Sequence, residues 1–312
     1  MARHAHSSLA PLSVRRWWRS DSNADSVREG RVDWVRCLPF FLLHLSAFAV
    51  IWVGWSPVAL LVAIGLYFIR MFAITAFYHR YFSHRTFRTS RVAQFVFAFV
   101  GATAAQRGPL WWAAHHRHHH RESDQEPDLH SPRLRGLLWS HMLWFMTPEG
   151  FRCDRGLVKD LARYRELDFL DRYDLVAPLL LALGLFGVGE LCAAYYPALG
   201  TSGWQMVVWG FVISTIVLYH ATYTINSLAH MWGHRRFETK DDSRNNWFLA
   251  LITLGEGWHN NHHRYANSAA QGFYWWQIDI TYWGLRALQC CGVIHGLKPV
   301  PERIREEGLR AR

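Results

Sequence analysis

Four apolar segments divide the chain, and each is about as long as a helix that crosses a membrane. They lie at 37–55, 57–78, 175–196 and 204–225, and Arg70 is the one basic residue within them. A helix of about 20 apolar residues spans the ~30 Å hydrocarbon core of a bilayer. Because short connectors join the first two segments and the last two, the pattern predicts two helical hairpins. The sequence therefore predicts an all-α integral membrane protein with four transmembrane helices.

The remaining apolar stretches are too short or too mixed to cross a bilayer. Segments 92–105 and 136–147 belong to this class. Segment 271–292 alternates Trp and Tyr with polar residues, which predicts an amphipathic helix in the membrane interface. Segments 79–174 and 226–295 are therefore predicted to form a helical cap on one membrane face. The predicted division of the chain is an N-terminal arm at 1–36, a main domain at 37–295 and a C-terminal tail at 296–312.

The positive charges mark one side of the membrane. The net charge is +10, and the arm carries 7 basic residues, 79–173 carries 15 and the chain from 227 onward carries 11. The two hairpin connectors carry none. Since Lys and Arg concentrate on the cytosolic side, both termini and the cap are predicted to be cytosolic. This explains the basic excess without nucleic-acid binding, and 31 Arg against 3 Lys indicates a bacterial source, hence an inner (plasma) membrane.

The cysteines and the N-terminus fit a cytosol-facing protein. The five cysteines form no CxxC pair and no regular framework, so we expect reduced thiols. No short apolar core follows Met1, and the sequence predicts no signal peptide.

The candidate chemistry lies in the histidines, which number 19 and occur mostly in clusters. The clusters are "HRYFSH" (79–84), "HHRHHH" (115–120), "NSLAH" (226–230) and "HNNHH" (259–263). The first begins where the second apolar segment ends, and "NSLAH" follows the fourth. All four clusters are therefore predicted to meet at one cytosolic membrane face.

Their spacing predicts two metal ions. Two triples stand at i, i+3, i+4, a spacing that places side chains on one helix face. His79 and His84 would lie roughly 140° apart on an ideal helix, which suits two neighbouring ions better than one. With His230 the candidates number nine, enough for two ions with four or five ligands each: His79, His84, His116, His119, His120, His230, His259, His262 and His263. Four further histidines are interpreted as packing residues: His44, His141, His220 and His295.

The ligand type leaves the metal open among Fe, Cu, Ni and Zn. No HExxH motif supplies the glutamate base of a zincin-like hydrolase. No cysteine accompanies the clusters, which disfavours structural zinc. A redox metal beside lipid favours oxygen chemistry on a hydrocarbon.

As a set, these motifs resemble the membrane fatty-acid desaturases, and most of all the acyl-CoA Δ9 (stearoyl-CoA type) branch. The likeness covers about 38–295 and includes "FYHRYFSHRTF", "HRHHHRESDQEPDLHSP" and "GEGWHNNHHRYANSAAQGFYWWQID". It implies two iron ions held by the nine histidines, with Asn226 holding a water near one iron. It also implies that O₂ is a co-substrate and that a cis double bond enters a saturated C16–C18 acyl chain, at Δ9.

The resemblance also implies a substrate tunnel. In such enzymes a kinked tunnel takes the acyl chain, and its bend would lie by Gln106, Trp112 and Thr222. The closed end would lie near Tyr67. Met71 is one helical turn further along and shares that face, so it is a second candidate for limiting chain length.

Two departures from the family pattern concern the partners. Animal members have an Arg, associated with coenzyme A, where this chain has Ala114. Acyl-CoA is the expected carrier, and acyl carrier protein and membrane lipid stay open. No cytochrome b5-like domain is evident, so a separate donor (a ferredoxin, a flavoprotein reductase or a cytochrome b5-like protein) is expected. The basic cytosolic surface is compatible with an acidic partner.

Two other functions stay open at this point. A membrane di-iron hydroxylase or alkane monooxygenase would share the histidine clusters but insert oxygen. A histidine-rich metal transporter would need ligands at bilayer depth, whereas the clusters here lie outside the predicted spans.

Overall fold

The computed structural model describes residues 31–310, and four of its helices are long and apolar enough to cross a membrane. They are Trp34–Val53, Pro57–Ser83, Val176–Tyr195 and Gly203–His230, called the first to fourth spans below. The predicted all-α membrane architecture is confirmed. The second and fourth spans, with 27 and 28 residues, run further than predicted, and their last turns carry His79 and His230.

The hairpin connectors end and restart the helices sharply. Gly54 has φ +63° where the first span ends, a conformation that glycine adopts at little cost. Ser56 then caps the second span, since its Oγ accepts from the Ala59 amide at 3.1 Å, and Pro57 occupies the first turn. In the second hairpin Ser202 caps the fourth span through the Gln205 amide.

The second and fourth spans pack against each other at the centre of the molecule. Arg70 is buried there, with 1% of its surface exposed. Its guanidinium donates to Thr215 Oγ1 at 2.7 Å, to Ser214 Oγ and to the Thr103 carbonyl. These acceptors lower the cost of burying a charge between spans.

The cap consists of short helices and one small sheet. Its α-helices are Arg91–Ala102, Pro109–Glu122, Pro132–Arg135, Pro148–Phe151, Lys159–Ala162, Arg165–Arg172, Trp247–Ile252, His259–Arg264 and Ile280–Cys290. A π-helical turn, Trp139–Leu143, and 3-10 turns, Trp144–Met146 and Arg155–Val158, complete the helical part. Strands Arg88–Thr89 and Ile294–His295 pair antiparallel.

The Pro109–Glu122 helix, which carries "HHRHHH", is fixed at its N-terminus. Asp171 Oδ1 accepts from the amides of Leu110 at 3.0 Å and Trp111 at 2.8 Å. Pro109 occupies the first turn, where no amide hydrogen is needed. Burial nevertheless raises the pKa of the Asp171 carboxyl to about 6. The helix packs on the π-helical end of the second span, Ala73–Ser83, and this contact brings two histidine clusters together.

The predicted interfacial helix at 271–292 is shorter than expected. The helix is Ile280–Cys290, and Asp279 caps it through the Tyr282 amide at 2.9 Å. The other Asp279 oxygen accepts from the amides of Gln271 and Gly272, which fixes 271–279 as a loop. Trp275 in this loop is 89% exposed, as suits an aromatic anchor at a membrane interface.

The structure describes most of the predicted tail but little of the predicted arm. Most of the predicted arm, residues 1–30, lies outside the described residues, as do 311–312. The predicted tail ends in the Glu302–Arg310 helix, whose buried Ile304 packs with Phe237 and Tyr274.

Candidate metal centre

The nine predicted histidines converge at the C-terminal ends of the second and fourth spans and form two groups. Within each group the candidate ligand atoms lie within 4.8 Å of one another. The five-histidine group is His79, His84, His116, His120 and His262. The four-histidine group is His119, His230, His259 and His263. The predicted partition into four and five agrees with this geometry.

One expectation about the first cluster is wrong. His79 and His84 were expected to face two different ions, but both belong to the five-histidine group, with ring centroids 4.9 Å apart. The reason is that Ala73–Ser83 is π-helical, and the His84 amide donates to the His79 carbonyl at 3.2 Å. A π-helix bonds residue i to i+5 and so stacks residues five apart.

The two HxxHH triples each contribute to both groups. In the Pro109–Glu122 helix, His116 and His120 join the five-histidine group, while His119 joins the other. In the His259–Arg264 helix the division is reversed, because one histidine, His262, joins the five-histidine group and two, His259 and His263, join the other. Each helix therefore lies between the two groups and presents ligands to both.

The ring nitrogens have the arrangement of a metal site. Nε2 atoms face each other at 2.8 Å between His84 and His116 and at 3.0 Å between His230 and His259. Nε2 of His263 is buried and has no hydrogen-bond partner within residues 31–310. Burial, and after it the neighbouring histidines, lower the pKa well below its ordinary value for His84, His116, His120, His259 and His262. Neutral imidazoles that converge on one point are the donor set that a divalent transition metal requires.

Four buried carboxylates orient the ligand rings, and sequence reasoning missed all of them. Three pairs involve the four-histidine group: His119 Nδ1 with Asp128 at 3.0 Å, His230 Nδ1 with Asp124 at 2.8 Å, and His263 Nδ1 with Asp241 at 2.8 Å. His79 Nδ1 pairs with Glu256. A carboxylate at Nδ1 fixes the tautomer that leaves Nε2 free for a metal. The available signal was the acidic residues of "SDQEPD", "KDDS" and "GEGW" beside the histidines.

The contacts with histidine lower the pKa of the three aspartates in this set. Burial opposes the charged form of each one, but the contacts with histidine outweigh it and hold the pKa below the usual range for Asp124, Asp128 and Asp241. Asp128 also accepts from His130 Nδ1 at 2.7 Å. His119, Asp128 and His130 lie close enough together to form a further group of possible metal ligands, and these hydrogen bonds explain why they do.

A cavity of about 370 Å³ leads from the histidines into the membrane-spanning region. Both groups contribute to its wall, through His79 and His116 of the first and His119 and His259 of the second. Its other walls are largely apolar and aromatic, and they include Phe40, Leu43, Ile74, Phe145, Leu175, Leu179, Phe211 and Tyr223. Such a cavity suits an apolar chain that must reach a metal while water is kept out.

The three residues predicted at the bend line this cavity and are joined to one another. Gln106 Nε2 donates to Thr222 Oγ1 at 2.7 Å, and Trp112 Nε1 lies 3.4 Å from Gln106 Oε1. The fourth span and the histidine-bearing helix are thus linked across the cavity wall. Asn226 also lines the cavity, whereas Ala114 is buried in its helix.

The two residues predicted at the closed end lie behind the cavity wall. Neither Tyr67 nor Met71 is among the lining residues, which at this end include Ile74, Thr75 and Thr253. Tyr67 donates its hydroxyl to the Ile252 carbonyl at 2.5 Å and so supports the segment that carries Thr253.

The histidines interpreted as packing residues lie apart from both groups. A chain of ring contacts joins the first span, the fourth span and the cap. It runs from His44 to His220 at 3.4 Å and from His220 to His141 at 3.0 Å, and it ends at Ser227 Oγ. His295 is exposed on the small sheet.

Comparison with known proteins identifies the family. Residues 53–290 match the fatty acid desaturase family. The chain is 36% identical over 266 residues to an sn-2 palmitoyl-lipid 9-desaturase of Nostoc sp. (strain 36), with 83% of this chain and 88% of that protein covered. It is 35% identical to an sn-1 stearoyl-lipid 9-desaturase of Anabaena variabilis, with 86% and 94% covered. It is also 35% identical to an acyl-CoA 5-desaturase of Anemone leveillei, with 77% and 71% covered. The chain belongs to the fatty acid desaturase family.

Family membership makes the protein an oxidoreductase that desaturates fatty acyl chains. Desaturases of this family use a di-iron centre, and the two histidine groups are compatible with one.

Proposed function

We propose that the protein is an O₂-dependent desaturase that places a cis double bond at Δ9 of a C16–C18 acyl chain, with one iron in each histidine group. The observation that carries this proposal is the convergence of nine imidazoles in groups of five and four on one apolar cavity. With iron bound, the centre supplies the activation of O₂ that removing hydrogen from two adjacent methylenes requires. His79, His84, His116, His120 and His262 would hold one ion, and His119, His230, His259 and His263 the other. Asn226, which lines the cavity, would hold a water.

The residues of this chain contribute position and exclusion of water. The apolar cavity wall keeps the acyl chain dry beside the histidines. The link from Trp112 through Gln106 to Thr222 fixes the bend and so decides which carbons lie next to the metals. Four carboxylates hold the rings of their histidine partners in the ligating tautomer.

We propose a membrane lipid as the acyl carrier, with acyl-CoA as the alternative that the sequence favoured. Two relatives named above are lipid 9-desaturases. The cavity wall also includes Leu43 of the first span and Leu179 of the third, and Leu179 is 45% exposed on the outer surface. A cavity that reaches this surface between two spans would admit a chain sideways from the bilayer.

The same part of the cavity offers a place for a polar lipid head. Arg36 and Arg107 line it and both stack on Phe151, at 4.4 and 5.0 Å from the ring centroid. Asp174 lies 3.3 Å from Arg107 Nε and also lines the cavity. Guanidinium groups on an aromatic ring suit the ester and phosphate oxygens of a lipid.

The test of this function is expression in a desaturase-deficient host, followed by mapping of double-bond positions in each lipid class. We expect Δ9 products in the wild type and none with His262→Ala. A short pulse of labelled saturated fatty acid distinguishes the carriers, because a lipid substrate labels intact lipids before unsaturated chains appear in them. Unsaturated acyl-CoA that appears before any unsaturated lipid would contradict the lipid carrier but not the desaturase.

We further propose that the termini and the metal centre face the cytosol of a bacterial plasma membrane, where a separate ferredoxin, flavoprotein reductase or cytochrome b5-like protein supplies electrons. The supporting observation is the absence of Lys and Arg from both hairpin connectors. In a cysteine-free background, cysteines introduced at Gly200 and Arg310 should react with an impermeant reagent from opposite sides. Reaction from the same side would contradict the four-span orientation.

Tyr67→Gly is expected to let the enzyme accept longer chains. Removing the ring opens space behind the segment that carries Thr253, at roughly 18 Å from His79 along the second span. The double-bond position counted from the carboxyl end should stay the same, because the head-group side sets the register.

The measurement is the chain-length profile of unsaturated products. Phe68→Gly is the matched control, since it removes a neighbouring ring that is 49% exposed. An active Tyr67→Gly enzyme with an unchanged profile would show that Tyr67 does not limit chain length.

A further inference from the structure

Negative charge is distributed very unevenly around the two histidine groups. In the four-histidine group, three of the four rings have an aspartate at Nδ1. In the five-histidine group, the described part of the chain pairs a carboxylate with one ring, that of His79. The partner there is Glu256.

Apart from histidine rings, the three aspartates accept hydrogen bonds only from backbone amides and serine hydroxyls in the described part of the chain. Asp124 accepts from Ser131 Oγ at 2.5 Å and from the Asp242 amide at 2.8 Å. Asp241 accepts from the amide and the hydroxyl of Ser243, at 3.1 and 2.5 Å. Asp128 accepts from two backbone amides, those of residues 124 and 130.

Glu256, by contrast, is paired with a buried arginine. Its Oε1 accepts from Arg80 Nη2 at 3.0 Å and from Arg80 Nε at 3.3 Å. Arg80 is almost fully buried and also pairs with Asp279 at 2.9 Å. The carboxylate at the five-histidine group is therefore paired with a cation, which it shares with Asp279. In the described part of the chain, no Lys or Arg pairs with the three aspartates at the four-histidine group.

We propose that the two metal positions are inequivalent: the four-histidine group retains its iron more tightly and favours the ferric state, and the five-histidine group releases its iron first. This rests on the proposed function, because it requires iron in both groups. A carboxylate at Nδ1 makes the imidazole a stronger donor, and removing such a partner typically costs about 10–100-fold in metal affinity. Three such partners outweigh the one additional neutral imidazole of the five-histidine group. Negative charge also stabilises the more highly charged ion.

The test uses the purified full-length holoprotein carrying ⁵⁷Fe. Exposure to a ferrous chelator should remove iron in two phases, and Mössbauer spectra should show one quadrupole doublet disappearing first. Asp241→Asn is expected to speed the slow phase by about 10–100-fold. Glu256→Gln should change the fast phase instead. If Asp241→Asn does not accumulate, Asp128→Asn tests the same group from a different loop.

Asp279→Asn is the control, since it removes a buried carboxylate that contacts Arg80 and no ligand ring. It should leave the slow phase unchanged. Loss of both irons in a single phase, or an effect of Asp241→Asn on the fast phase alone, would overturn the inequivalence while leaving the di-iron function intact. Protein that holds no iron in either position would overturn both.

Discussion

His230→Ala should abolish desaturation and remove iron from the four-histidine group, while the protein stays folded in the membrane. His230 stands outside the three dense histidine clusters, yet its Nε2 faces His259 Nε2 at 3.0 Å and its Nδ1 is held by Asp124. Because even an outer carboxylate partner is worth about 10–100-fold, loss of a ligand should lower turnover by more than roughly 100-fold. The measurements are iron per chain and product formed per unit of purified protein.

The matched control is His295→Ala, which removes an exposed imidazole on the small sheet. It should keep both iron and turnover. A His230→Ala protein with normal iron and normal turnover would make His230 a packing residue and leave the four-histidine group with three members.

Arg80→Leu should be among the most destabilising single substitutions in the chain. The side chain is 1% exposed and bonds Glu256, Asp279 and the Ala269 carbonyl. Removing it leaves two buried carboxylates without their cation, a change that costs roughly 3–5 kcal/mol of unfolding free energy. Denaturation of the purified protein in detergent micelles, followed by tryptophan fluorescence, measures the loss.

Arg91→Leu is the comparison for that measurement. Arg91 makes a two-pronged ion pair with Glu166 at 2.8 Å for each contact, but its side chain is 66% exposed. Because water and salt screen an exposed pair, this substitution should change the unfolding free energy far less than Arg80→Leu does. Equal losses of unfolding free energy for the two variants would mean that the buried network around Arg80 does not stabilise the fold.

The spans and the metal-binding candidates could be read from the sequence because each has a distinctive chemistry. A run of about 20 apolar residues has few interpretations other than a membrane helix. The i, i+3, i+4 histidine triples predicted shared helix faces, and both triples lie on helices. The pattern could not show that each triple serves both groups, since that depends on how two helices pack.

The features of the site that the sequence did not reveal depend on the local backbone conformation and on the positions of loops. The π-helical segment Ala73–Ser83 aligns His79 with His84. Its apolar residues do not distinguish it from the α-helix that the sequence predicted there. The aspartates at the ligand rings come from loops, where no periodicity marks a buried position. Asp124 even takes a positive φ of 56°, unusual for a residue with a side chain. Only the folded structure shows that these acids are buried against histidine.

The central claim is that two irons in these histidine groups desaturate an acyl chain, and a single-turnover reaction tests it most directly. Purified protein with saturated phospholipid is reduced chemically without oxygen, exposed once to O₂, and its lipids are analysed by mass. The account predicts acyl chains lighter by two hydrogens, in proportion to the iron present and with the irons oxidised. Chains heavier by one oxygen would indicate a hydroxylase, and unsaturated product formed by protein without iron would contradict the account.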